Sequence, residues 1–194
     1  MNRFLLLLLS LVPLASCNVV VTSPNEPGLS VDVDALVGRW RPSVGEHPES
    51  EGDYLLVGKT DVAHRYRADI YEDGIKDDSP LFSLCQDRGQ GKYRGFAVSD
   101  ESLQGELLFH LVLSEDRAEF RWLNGDKTAA LLDRAGLPYD KEASSDFIKW
   151  TRVRIRASRT ELLDVLKAGG NRILDSDLTI FRRVRPQGAP DSGA

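Results

Sequence analysis

From Tyr54 to Leu123 the chain runs in short segments of alternating character separated by tight turns, and this pattern limits its fold more than any other feature. Side chains of a strand point to opposite faces in turn, so a period of two is the signature of a half-buried strand. Tyr54-Leu55-Leu56-Val57 is such a segment, after a polar loop over residues 42–52. Arg65–Tyr71 alternates charged with aromatic or aliphatic residues, and Glu72-Asp73-Gly74 supplies a turn. Leu81–Cys85 and Tyr93–Val98 follow, separated by Gly89-Gln90-Gly91. Glu106–Leu113 is the most apolar strand, and Ser114-Glu115-Asp116 turns it into Ala118–Leu123. Connections this short cannot carry a parallel crossover, so neighbours pair antiparallel.

The period then changes. Asp126 can cap a helix through Thr128–Ala135 that stops at Gly136. Residues 137–146 read as loop and Phe147–Ala157 as strand. Ser158 or Thr160 caps a second helix, Glu161–Lys167, ended by Gly169-Gly170, and Leu178–Val184 is the last strand. The expected fold is mainly β (α+β), an antiparallel sheet or a closed barrel, with two short late helices. Closing the sheet would remove its exposed edges.

The N-terminus has its own chemistry. Asn2-Arg3 precedes an apolar run from Phe4 to Ala15, broken only by Ser10 and Pro13. That is too short for a membrane span and fits an export signal. Leu14-Ala15-Ser16-Cys17 resembles the bacterial lipobox, an aliphatic residue and two small ones before Cys. The resemblance implies cleavage before Cys17, acylation of its sulfur and new amine, and attachment to a membrane. Asn18, rather than Asp, follows the Cys; by the same resemblance that favours the outer membrane, with the domain facing the periplasm. On this reading residues 1–16 are a signal peptide, 17–30 a lipidated tether, 31–185 one β-rich domain and 186–194 a disordered tail.

Val37-Gly38-Arg39-Trp40 opens the folded domain. A Gly two positions before a Trp on the first strand resembles the G-x-W signature of lipocalin-like barrels. The resemblance implies that Trp40 plugs the closed end and stacks beneath an Arg of the last strand, here Arg182 or Arg183. Guanidinium on indole is physically favourable. Gly38, Trp40 and the Arg would then be structural, and any ligand would sit in the lumen.

Charge excludes some functions. The chain carries a net −5, and residues 17–149 hold 15 basic against 25 acidic side chains, while 150–185 hold 9 against 4. An acidic exported protein is a poor nucleic-acid binder. Arg152, Arg154 and Arg156 alternate with Val153, Ile155 and Ala157. They form either a candidate anion-binding ladder or the solvated face of a half-buried strand. Cys85 has no intrachain disulfide partner once Cys17 is lipidated, and its apolar setting suits a buried thiol. His47, His64 and His110 lack metal-type spacing; His110 shares parity with Leu108 and Val112, as a core or edge residue would. No metal, cofactor or catalytic signature is expected. Three functions follow in order: a domain binding a hydrophobic small molecule or an envelope partner, a scaffold or assembly lipoprotein without a pocket, and a hydrolase using carboxylates or Cys85.

Overall fold

In the computed structural model, residues 19–22, 28–44, 47–48, 52–98, 105–143 and 151–184 are described. The strands are β1 (Val19–Val21), β2 (Gly38–Val44), β3 (His47–Pro48), β4 (Tyr54–Lys59), β5 (Arg65–Glu72), β6 (Ile75–Asp78) and β7 (Leu81–Gln86). They continue as β8 (Lys92–Val98), β9 (Glu106–Leu113), β10 (Arg117–Trp122), β11 (Tyr139–Ala143), β12 (Thr151–Ile155) and β13 (Thr179–Arg183). Two helices, α1 (Gly125–Ala135) and α2 (Arg159–Gly169), fall late in the chain.

Eight strands close into an antiparallel barrel in the order β2-β4-β5-β7-β8-β9-β10-β13, with β13 returning to β2. The hairpin pattern accounts for all of this ring except its last member. β13 arrives after both helices and seals the gap between β10 and β2. The period-two residues are sorted as the pattern requires: Trp40, Val57, Tyr66, Leu84, Phe109 and Phe181 fill the interior.

Outside the wall formed by β7, β8 and β9 lies a second layer. There β1 pairs antiparallel with the start of β9 and parallel with β12, and β12 pairs with β11. The outward residues Cys85, Phe96 and Leu108 pack against Leu132, Leu162 and Leu166 of the helices and Val153 and Ile155 of β12. The apolar content of β9 is thereby explained: both faces of the strand are buried, and strands buried on both sides lose their alternation.

Four expectations need correction. Val19–Val21 is no tether but a strand whose three side chains are at most 1% exposed. Three β-branched residues in a row suit a strand buried on both faces, whatever polar residues flank them. Tyr139–Ala143, read as loop, is the edge strand β11; its polarity reflects its place at the sheet margin. The loop over 42–52 contains the end of β2 and the short β3, and β6 was not anticipated. The first helix is capped by Asn124, whose side chain accepts from the Lys127 N–H, with Asp126 in the first turn. Ser158, not Thr160, caps the second, in a reciprocal capping box with Glu161. Residues 1–18, 144–150 and 185–194 lie outside the described residues, and with them the signal, Cys17, the start of the expected strand at Phe147 and the tail.

Gly95 is the tightest point of the wall. A Cβ there would meet the Phe109 ring at 1.9 Å. Phe109 is itself held by Phe82, Phe120 and Trp122. Gly95→Ala should lower unfolding free energy by about 1–3 kcal/mol, the range for overpacking. Combining it with Phe109→Ala should cost less than the two changes summed, because the clash is removed. Urea denaturation of the four proteins reads the coupling.

Candidate ligand-binding lumen

One end of the barrel is plugged. The chain entering β2 makes a single 3-10 turn, Asp34–Leu36, and that segment is fastened from inside and outside. The Trp40 indole, 1% exposed, donates to the Leu36 carbonyl at 2.8 Å. The Val33 N–H donates to the Tyr66 hydroxyl inside the barrel. Burial holds the Tyr66 phenol above its ordinary pKa, so it stays a neutral acceptor.

Arg183 completes the plug. Its guanidinium lies 4.4 Å over the Trp40 ring, and it donates to the carbonyls of Val37 and Glu115, each at 3.0 Å, and to Ala35. Of the two arginines expected at this position, Arg183 takes it; Arg182 points outward, 3.7 Å from Asp116. Gly38 has φ +139°, and a Cβ would crowd the Arg183 Nη1 at 3.0 Å, so the glycine is required twice over.

The other end carries aromatic rings with unused surface. Phe120 and Trp122, which face inward on β10, keep partial exposure, whereas Trp40, Tyr66 and Leu84 at the plugged end have essentially none. Phe120 packs 4.9 Å from Phe109 and 4.7 Å from Trp122, the latter edge to face. This end, opposite the plug, is the mouth; inward Tyr93 and Leu113, at the plugged ends of β8 and β9, are partly exposed as well. Phe109, Phe120 and Trp122 thus form an apolar, aromatic lining at this end of the barrel interior. The sequence had offered no signal for Phe120 and Trp122 as a site; their inward parity on β10 was legible, but the closing partner β13 was needed to place them over a lumen.

The remaining candidates fall elsewhere. Arg154 stands opposite Asp140 and Arg152 opposite Glu142 on β11. The Glu142 carboxylate lies 3.8 Å from Arg152 and 3.6 Å from Arg154, and Arg156 pairs with Asp140. The ladder is thus a set of cross-strand ion pairs on the outer layer, away from the lumen. His64 lies in an exposed turn, 3.3 Å from Asp32. The side chain of His47 lies outside the described ones. Among the described residues there is no group of His, Cys, Asp and Glu able to hold a metal ion, and no helix long and apolar enough to cross a membrane.

A polar cluster that sequence reading missed is buried under α2 on the outer wall. Cys85, Arg94 and His110 stand in register across β7, β8 and β9. Asp87 contacts Arg94 at 2.8 Å and His110 at 3.6 Å, and Arg94 also reaches the Gly170 carbonyl at 3.5 Å. Burial, then the Arg94 charge, pushes His110 down to about 4, because Arg94 already answers the carboxylate. Burial raises the Cys85 thiol, so it remains protonated and poorly nucleophilic. Arg94 stands between Cys85 and His110, which separates thiol from base by two strand spacings.

Compared with family models, with curated proteins and with solved structures, the chain shows no significant match.

Two outcomes are expected. Arg183→Ala should cost about 2 kcal/mol, since three carbonyls lose a donor and Trp40 its cover, and Arg183→Lys should recover less than half. Differential calorimetry measures both. Separately, His110 is neutral in the fold down to about 4 but takes a proton near 6.5 once unfolded. The unfolded state therefore binds more protons in that window, and stability falls as pH drops through it, by about 3 kcal/mol in full. His110→Gln should flatten this slope in urea titrations between those pH values. Asp69 and Asp126, whose folded pKa values lie below the ordinary carboxylate value, lose their contribution only at lower pH.

Proposed function

We infer that this chain is a lipid-anchored protein of the bacterial cell envelope whose barrel, of lipocalin-like kind, binds a hydrophobic small molecule through its mouth. The observation that carries the reading is the plug of Arg183 over Trp40 at one end of the barrel, opposite an end at which the inward rings Phe120 and Trp122 keep part of their surface. A barrel built only as a scaffold has no need to leave large inward rings incompletely covered, since interiors fill to high density. The lipocalin-like reading is further supported by Gly38, Trp40 and Arg183 meeting in one stack. The anchor rests on Leu14-Ala15-Ser16-Cys17, and the outer-membrane, periplasm-facing location on Asn18 after the Cys. Each buried methylene contributes about 0.8 kcal/mol, so several acyl chains on Cys17 would hold the protein firmly.

The test is native mass spectrometry, with solvent extraction, on a soluble form that begins at Asn18 and is purified from an exporting host. Starting at Asn18 keeps β1, which a form starting at residue 31 would lose. An apolar molecule should co-purify at stoichiometric occupancy. Trp122→Ala should weaken binding of that molecule, or of a fluorescent fatty acid, by about tenfold, as removal of a buried aromatic contact does. A barrel that is empty at its bare mass and binds no fluorescent fatty acid would overturn the reading and favour an assembly role.

A further inference from the structure

The second layer packs on the outer face of β7, β8 and β9. The outer face of β10, β13 and β2 is built differently. Ala118, Phe181 and Trp40 point into the barrel, so their neighbours along each strand point out. Those outward positions include Arg117, Glu119 and Arg121 on β10, Arg182 on β13, and Arg39 and Arg41 on β2. Five arginines thus share a face with one carboxylate, in a chain with more acidic than basic side chains. Each of the five is half-buried.

Three of them stand side by side. Arg117 is the cross-strand partner of Arg182, and Arg182 of Arg41. Like charges directly opposite one another are destabilising in a sheet. The row is only partly relieved. Glu119 lies 2.8 Å from Arg117, and Asp116, in the β9–β10 turn, lies 3.7 Å from Arg182. Arg41, at the end of the row, has no ion-pair partner among the described residues. Its Nε, like those of Arg39 and Arg117, is shielded from water and has no acceptor among them either. Arg39, two residues along the same face of β2, lies 3.6 Å over the Tyr54 ring, which stacks on Tyr71 at 4.4 Å. That stack uses the flat face of the guanidinium and leaves its edge donors. Leu56, the partner of Arg39 on β4, is 42% exposed. The contrast with Arg152, Arg154 and Arg156 is direct: that ladder faces the carboxylates of β11, and this row faces arginine.

We propose that Arg41, Arg182 and Arg39 form a binding site for a phosphorylated sugar on the outer face of the barrel. The site is separate from the lumen and independent of what the lumen binds. Glu119 answers Arg117 and Asp116 answers Arg182, so the charges of Arg41 and Arg39 stay unanswered. A phosphomonoester carries about −1.5 to −2 and three acceptor oxygens, which suits two unanswered arginines and the fork of a third. A carboxylate brings one charge and two oxygens, and fits the set less well. The face is convex and encloses nothing, so the phosphoryl group supplies most of the hold. The sugar lies beside Tyr54 and Leu56, where its C–H groups meet apolar surface.

Isothermal titration calorimetry on the full chain in a non-ionic detergent, at low salt, compares glucose 1-phosphate with glucuronate, which offers a carboxylate on a similar ring. Glucose 1-phosphate should bind with a dissociation constant of about 1 mM or tighter, and glucuronate about tenfold more weakly. Added salt should weaken both, since the site is open to solvent. Arg41→Gln should weaken binding of glucose 1-phosphate about tenfold, as loss of a hydrogen bond to a charged group does, and leave binding of the fluorescent fatty acid unchanged. Thermal unfolding separates a binding role from a structural one. Arg41→Gln removes a repulsion, so its midpoint should equal or exceed that of the native chain, and glucose 1-phosphate should raise the midpoint of the native chain only. A lower midpoint with unchanged binding would make Arg41 a structural residue and overturn the proposal. So would the absence of saturable binding of glucose 1-phosphate to the native chain, or equal binding of glucuronate. Should Arg41→Gln fail to fold, Arg39→Gln carries the same binding comparison, with the same loss expected.

Discussion

The fold depends on Arg183 over Trp40. A barrel of antiparallel hairpins can be left open by one strand, and here the hairpins from β4 to β10 leave such a gap between β10 and β2. The strand that fills it comes after more than fifty residues of other structure. Its arrival has to be fixed in register, and Arg183 does that at the last residue of β13. The guanidinium joins three separate segments, at Ala35 and Val37 before β2, at Glu115 in the β9–β10 turn, and at Trp40 within β2. A planar fork with five donors can serve several carbonyls while its face covers an indole, and an ammonium cannot. Closure of the ring and closure of the end are therefore the same event.

The outer layer changes what the barrel wall can contain. Strands β2 and β4 face water on one side and keep charged side chains there, as Arg39 over the Tyr54 ring shows. Strands β7 to β9 are covered by α1, α2 and β12, so polar residues on their outer face must find partners without water. Arg94 meets Asp87, and Arg159, fully buried, meets Glu106 while lying 4.2 Å over the Phe96 ring. Buried pairs of this kind contribute little net stability but are costly to break singly. Their placement fixes α2 against the wall at both of its ends: Arg159 at the start near the mouth, and the Gly170 carbonyl at the finish over Arg94.

What the sequence made legible was local. Gly89-Gln90-Gly91 marked the turn of one hairpin, and a cap at Ser158 or Thr160 marked a helix start, because each is decided within a few residues. Gly38 and Trp40 were legible through a short motif, although the choice between Arg182 and Arg183 was not: adjacent residues of a strand face opposite sides, and parity is set by pairing with β2. What escaped depends on distant partners. Val19–Val21 looked like part of a connector because its neighbours are polar, and only the free edge of β9 beyond Trp122 gives it a place. Tyr139–Ala143 looked like a loop because an edge strand paired with arginines needs carboxylates, not valines. Asp87 could not be told from any other loop carboxylate until Arg94 was seen to be buried beside it.

β1 is where these two halves of the molecule meet. Val20 faces the mouth-side cluster with Leu107 and Trp122, while Val19 and Val21 face the helical core. A strand of three residues is thus shared between the lumen and the outer layer. Two-sided burial makes it a poor hinge: pulling it away would open both cores at once, with several valine burials lost, each about 1.5–3 kcal/mol.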